Sequence, residues 1–150
     1  MCMYNASRYV GETLRSVFAQ TLQDFEIVIV DDGSTDGSPE LVEREFPDSR
    51  ITIVRQRHVT LRVARPLALA HSKGEFIAFL DADDLWIPAK LERQVTVARA
   101  IPDAGLIFSD CELIDASSRA LGAWMWRSIL ISTSNAMSAP TTTVVNTIEK

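Results

Sequence analysis

Four short apolar runs constrain the fold of this chain most. They occupy residues 25–30, 51–54, 75–80 and 106–109, and each is rich in Ile, Val or Phe. Polar or turn residues lie near their ends, as expected of strands. A strand with one solvated face alternates apolar and polar residues, whereas a strand covered on both faces is apolar nearly throughout. The runs therefore predict a mostly parallel sheet buried between two layers.

Between the runs the apolar period changes. Val10, Leu14, Val17 and Phe18 mark one face of a helix ending near Thr21. Ser38-Pro39 reads as the N-cap and first-turn proline of a short helix reaching Phe46. Pro88 opens another helix, with Leu91, Val95 and Ala98 on one face and Pro102 beyond its end. Residues 61–73 have helical Leu and Ala content but contain Pro66. An interior proline costs about 3 kcal/mol, which predicts a helix start or kink there. Strands alternating with helices define an α/β fold. Beyond Asp110, residues 111–114 continue as an extended run, 115–119 as a turn, and 121–126 and 141–145 as strands. Residues 127–140 carry no assignable pattern.

Composition narrows the function. The chain has 150 residues, 47% hydrophobic and 23% charged, which describes one globular domain over 1–150. Its net charge is −5 with no basic block, so nucleic acid is not expected as a partner. An anionic ligand must be held locally, by a metal, an arginine or backbone N–H groups. Cys2 and Cys111 form no disulfide framework and no zinc spacing. Free thiols and the absence of a signal-like N-terminus predict a cytoplasmic chain. No run of about 18 apolar residues predicts a transmembrane segment.

Three groups of residues carry the chemistry. Asp31 and Asp32 follow the first apolar run and precede a Gly33-Ser34 turn. In open α/β sheets ligands bind outside the carboxyl ends of strands, and a carboxylate there accepts hydrogen bonds from a base or ribose. The plainer role is turn formation and helix capping. Asp81, Asp83 and Asp84 crowd the end of the third run. Adjacent like charges repel unless a cation neutralises them, and Mg²⁺ takes one or two carboxylates plus phosphate oxygens. Arg65 lies among Arg55, Arg57, His58 and Arg62. Arginine suits phosphate, although most of this group reads as solvated surface, and a lone His58 is weak evidence for a ligand. Trp86, Trp124 and Trp126 read more readily as core than as sugar platforms. No glycine-rich phosphate loop or hydrolase elbow is present.

These segments resemble family 2 glycosyltransferases. Tyr4-Asn5-Ala6 and Val30-Asp31-Asp32-Gly33-Ser34-Thr35-Asp36 look like the family's opening. Residues 74–84 are similar to its metal-binding Asp-x-Asp segment, and Trp86-x-Pro88-x-Lys90-Leu91-Glu92 continues the likeness. The resemblance covers residues 4 to about 115. It implies a GT-A fold: a Rossmann-like, mostly parallel sheet flanked by helices. It also implies transfer of a hexosyl group from a nucleotide-diphosphate sugar, most simply a UDP-sugar, to a saccharide or lipid-linked saccharide. Tyr4, Asp31, Asp32, Arg65 and Asp81 would bind the nucleotide. Asp83, with Asp81, would hold Mn²⁺ or Mg²⁺. Residues 1–115 would form the donor-binding part and 116–150 the start of an acceptor-side part. A peripheral position at the inner face of a membrane is compatible with such an acceptor.

The departures imply a chain truncated at both ends. Only Met1-Cys2-Met3 precede Tyr4, so the family's first strand is missing or reduced to a stub. Its Asn-x-Gly-x-Ser-x-Ala-Arg-Asn stretch reads His58-Val59-Thr60-Leu61-Arg62-Val63-Ala64-Arg65-Pro66. The Glu-Asp segment bearing the family's base is not reached, which leaves the catalytic residue unknown. Asp110, Glu112 and Asp115 are the nearby carboxylates, and a structural or acceptor-loop role suits them better. Two alternatives stand: a non-catalytic nucleotide-sugar-binding chain, and, on weaker grounds, a metal-dependent phosphotransfer domain.

Overall fold

The computed structural model describes residues 1–124 and the strand segments 131–132 and 142–145. The chain runs β1 (Cys2–Met3), α1 (Val10–Phe18), β2 (Ile27–Asp31), α2 (Ser38–Glu45), β3 (Ile51–Arg55), α3 (Leu61–His71), β4 (Phe76–Phe79), α4 (Lys90–Ala100) and β5 (Leu106–Phe108). Four short strands follow β5 in the described part: β6 (Glu112–Ile114), β7 (Ala120–Trp124), β8 (Ile131–Ser132) and β9 (Thr142–Val145). The rest of 121–140, including Trp126, lies outside the described residues.

The predicted parallel sheet is present. β1, β2 and β3 pair in that order, all parallel. β4, β9, β5 and β8 form a second ladder, in which only the β5–β8 pairing is antiparallel. A parallel bridge from Cys2 to Asp81 joins the two ladders. The strand order is therefore β3-β2-β1-β4-β9-β5-β8, and the chain reverses direction across the sheet at β1. Ligands in doubly wound sheets bind at such a reversal.

The continuous apolar runs have the expected cause. Ile27 and Ile29 face a core with Val10, Leu14 and Val17 of α1, Val42 of α2, and Leu80, Trp86 and Leu91. Val28 and Val30 face the other side, against Ala64 and Ala68 of α3 and Cys2. Ile29 and Val30 are fully buried, and each such side chain stabilises the fold by roughly 1.5–3 kcal/mol.

β1 is a two-residue stub held by backbone bonds: Val30 N–H donates to Met1 at 2.9 Å and Asp32 N–H to Met3 at 2.8 Å. On the line of β1, between β2 and β4, lies a cavity of about 480 Å³ lined by Met1, Ile27, Val28, Ile77 and Ala78 among others.

Two expectations are corrected. Ser38 is the first residue of α2, not its cap; Gly37, at φ 81°, caps the helix. The Ser38 hydroxyl instead accepts from Ala6 N–H at 2.9 Å. Pro66 neither starts nor ends α3, which begins five residues earlier and runs to His71. Only the Arg62 carbonyl loses its helical donor, and burial of Ala64 and Ala68 against β2 offsets that loss.

Candidate functional site

The carboxyl ends of β1, β2 and β4 lie side by side, because Met3 pairs with Asp31 and Cys2 with Asp81. They bring together Tyr4, Asp31, Asp32 and Asp81.

The opening motifs lock two loops to each other. Asn5, at φ 49°, accepts from Thr35 N–H at 2.9 Å through its side chain. Asn5 N–H donates to the Ser34 hydroxyl at 3.0 Å. Ser7 N–H and Ser38 N–H donate to the Asp36 carboxylate at 2.9 and 3.0 Å. The Ser38 hydroxyl donates to it as well. Partial desolvation opposes the charge of Asp36, but these donors outweigh it and bring its pKa down to about 2. Asn5, Ser34, Asp36 and Ser38 are thus scaffold. They fix where Tyr4 and Asp32 stand.

Asp32 is 3% exposed and well supplied with donors. One oxygen accepts from the Gln56 amide at 2.6 Å and from Val59 N–H at 3.0 Å. The other lies 2.9 Å from His58 Nδ1. Burial alone would raise its pKa, but the Val59, Gln56 and His58 bonds prevail and hold the carboxyl below the usual range. The His58 ring stacks on Tyr4 at 4.2 Å with an interplanar angle of 26°. Asp31, also buried, accepts from Ser34 N–H at 3.2 Å, which fits its turn role. Gly33 makes the turn possible. Its φ is +80°, and a Cβ there would stand 2.8 Å from the His58 backbone nitrogen.

The second acidic loop is pinned by α1. Thr13, fully buried, donates to the Ala82 carbonyl at 3.0 Å. Arg65 Nη2 reaches Asp81 at 3.3 Å, so α3 and the end of β4 meet as their charges predict. Asp83 is half-buried and Asp84 fully buried. Trp86 is core, 8% exposed. Lys90 lies over its ring at 4.0 Å and donates to Gln94 at 2.8 Å. Burial pushes the Lys90 amine down to about 7, against a smaller opposite effect of the Cys111 thiol. Gln20 joins α1 to this segment, accepting from Leu91 N–H and donating to the Ile87 carbonyl.

The sequence profile of glycosyl transferase family 2 matches residues 1–132. The chain belongs to glycosyl transferase family 2. It is 39% identical over 121 residues to an uncharacterized glycosyltransferase of Nostoc, covering 79% of this chain and 37% of that protein. It is 40% identical over 98 residues to the Escherichia coli UDP-Glc:alpha-D-GlcNAc-diphosphoundecaprenol beta-1,3-glucosyltransferase WfgD, covering 65% and 38% respectively. Among solved structures, Staphylococcus aureus TarS with UDP-GlcNAc matches with a TM-score of 0.67 and 25% identity, over 76% of this chain and 34% of that one. The mannosyltransferase PcManGT of Pyrobaculum calidifontis, with GDP-Man and Mn²⁺, matches with a TM-score of 0.64 and 32% identity, over 73% and 33%. The fold is therefore the GT-A fold. The chain spans less than two fifths of the length of these relatives.

A divalent cation suits this family 2 chain's acidic loop by donor chemistry. Asp81, Asp83 and Asp84 offer hard carboxylate oxygens within one turn. Among the described residues, no three His, Cys, Asp or Glu side chains are placed to hold a metal ion together. Such a loop fits a cation that takes one or two protein ligands and the remainder from phosphates. Of the other carboxylates, Asp115 accepts from Ser117 and Arg119 N–H at 2.8 and 3.0 Å and is committed to its own turn. Two partners of Asp32 stand out from the sequence reading: His58, given little weight there, and Gln56, which it did not name. Their position just after the second apolar run, at the strand-end edge, is the available signal.

Proposed function

We propose that this chain is the donor-binding part of a glycosyltransferase, with residues 1–115 holding a nucleotide-diphosphate sugar and 116–150 beginning the acceptor side. The observation that carries the reading is the stacked, hydrogen-bonded group of Tyr4, His58 and buried Asp32 beside the Arg65–Asp81 pair.

In this reading Tyr4 supplies an aromatic face for the base. Asp32, kept ionised, accepts a base N–H, and Asp31 shapes the turn beside the ribose. Uracil and guanine present a ring N–H on their pairing edge, whereas adenine and cytosine do not. Uridine and guanosine nucleotides are therefore preferred, in line with the UDP-GlcNAc and GDP-Man bound by the two structural relatives. Arg65 offers a planar cation to the diphosphate. Asp83, with Asp81, holds Mn²⁺ or Mg²⁺, which when bound neutralises charge on the departing diphosphate. The acceptor is a saccharide or lipid-linked saccharide, by analogy with the E. coli relative. Among the described residues no helix is long and apolar enough to cross a membrane, and we place the reaction at the cytoplasmic face.

A second reading, binding without transfer, is favoured by one observation: Asp115, one of the three nearby carboxylates, is committed to its own turn rather than to an acceptor hydroxyl. Calorimetry tests the donor site. UDP or GDP is expected to bind with Mn²⁺ and CDP or ADP more weakly. Asp83→Ala is expected to lose at least tenfold in affinity. A folded chain that binds no nucleotide, or an Asp83→Ala variant equal to the parent, overturns the assignment. Sugar turnover by the same chain separates the two readings.

A further inference from the structure

His58 makes the two contacts that the proposed site reserves for a base. Its ring is stacked on Tyr4 at 4.2 Å and 26°. Its Nδ1 lies 2.9 Å from one Asp32 carboxylate oxygen and 3.1 Å from the Asp32 carbonyl. Facing two oxygen acceptors, that nitrogen must carry its proton. A planar heteroaromatic N–H donor therefore already fills the space between the tyrosine face and the buried carboxylate.

The surroundings fix the backbone and leave the ring free. Gly33 packs so closely on the His58 main chain that a Cβ at Gly33 would come within 2.8 Å of the nitrogen. The next residue, Val59, is tied by its N–H to Asp32, and Gln56 donates to the same oxygen. The His58 side chain, by contrast, is 56% exposed. Rotation into solvent breaks the stack and both Nδ1 contacts and leaves the Gln56 and Val59 bonds to Asp32 in place.

We propose that His58 is an internal stand-in for the nucleobase, which an incoming uracil or guanine displaces from Tyr4 and Asp32. This inference rests on the donor-site reading above. It makes His58 a gate on affinity: nucleotide binding must first remove an imidazole bound by the same two partners.

Calorimetry of UDP and GDP, each with Mn²⁺, on the parent, His58→Ala and His58→Phe tests it. Breaking a hydrogen bond of this kind typically costs 0.5–1.5 kcal/mol, so His58→Ala is expected to bind about three- to tenfold more tightly. Phenylalanine keeps the stack without the donor, so His58→Phe is expected to gain less. In nuclear magnetic resonance spectra, UDP should move the His58 ring signals of the parent towards those of a solvent-exposed histidine. Circular dichroism confirms that the variants fold; if His58→Ala does not, His58→Phe and the ring signals decide. Weaker or unchanged binding by the folded variants, or a His58 ring unmoved at saturation, overturns the displacement while leaving the donor site standing. Absence of any nucleotide binding by parent and variants alike overturns the donor-site reading and the displacement with it.

Discussion

Replacement of Gly33 by alanine tests how tightly the first acidic loop is built. Gly33 sits at φ +80°, where a non-glycine residue costs roughly 1–2 kcal/mol. Its new Cβ would also meet the His58 nitrogen at 2.8 Å, the His58 Cβ at 3.3 Å and the Gln56 carbonyl at 3.4 Å. Two of these neighbours are backbone and cannot rotate away. Overpacking of this kind costs about 1–3 kcal/mol, so the sum expected is about 2–5 kcal/mol. Gly37 supplies the control, because its φ is +81° and nothing lies within 4 Å of the added carbon. Gly37→Ala should therefore cost only the conformational part. Urea unfolding followed by circular dichroism measures both. With a slope of about 2 kcal/mol per M, Gly33→Ala should lower the midpoint by about 1–2.5 M. A Gly33→Ala variant no less stable than Gly37→Ala would refute the close packing of the Gly33 turn on residues 56–58.

Three further outcomes follow from the same geometry. Thr13→Val removes the buried donor to the Ala82 carbonyl and should cost about 1–3 kcal/mol in urea unfolding. Asp36 has its pKa depressed from 3.8 to about 2, so its stabilisation is complete above pH 4 and is lost as the pH falls through 2. Because the residue is exposed, solvent screening leaves about 1 kcal/mol or less, and Asp36→Asn should flatten that acid limb of a midpoint-versus-pH curve. Lys90 acts in the same direction in an alkaline window. Its amine, lowered from 10.5 to about 7, binds fewer protons in the folded chain, so stability should rise between pH 7 and 10.5. The shift sets an upper bound of about 5 kcal/mol, and Lys90→Met should abolish the rise when midpoints at pH 6.5 and 9.5 are compared.

Strand 27–30 was legible because burial on both faces leaves a continuous apolar trace, and the half-buried 76–79 carries the same apolar trace. Polar strand ends were not legible, since Asp31 and Arg55 belong to strands through backbone pairing that composition does not encode. Ser38 was misread as a cap because its hydroxyl accepts from Ala6, 32 residues away, rather than capping its own helix. Asp32 and Asp81 stand out in the sequence by residue type and strand-end position, and Arg65 by residue type alone. His58 was undervalued because both of its partners, Tyr4 and Asp32, are distant in sequence and are brought to it by the pairing of β1 and β2. Of the two outcomes expected at Pro66, a helix start or a kink, the start is ruled out, because α3 begins at Leu61 and buries Ala64 and Ala68 against the sheet on either side of the proline.

A crystal structure of the chain with UDP and Mn²⁺ tests the donor site most directly. The expected density places the base on the Tyr4 ring with its ring N–H on Asp32, the diphosphate towards Arg65, and the cation against Asp83. Nucleotide bound away from the ends of β1, β2 and β4, or a cation that touches neither Asp81 nor Asp83, would contradict it.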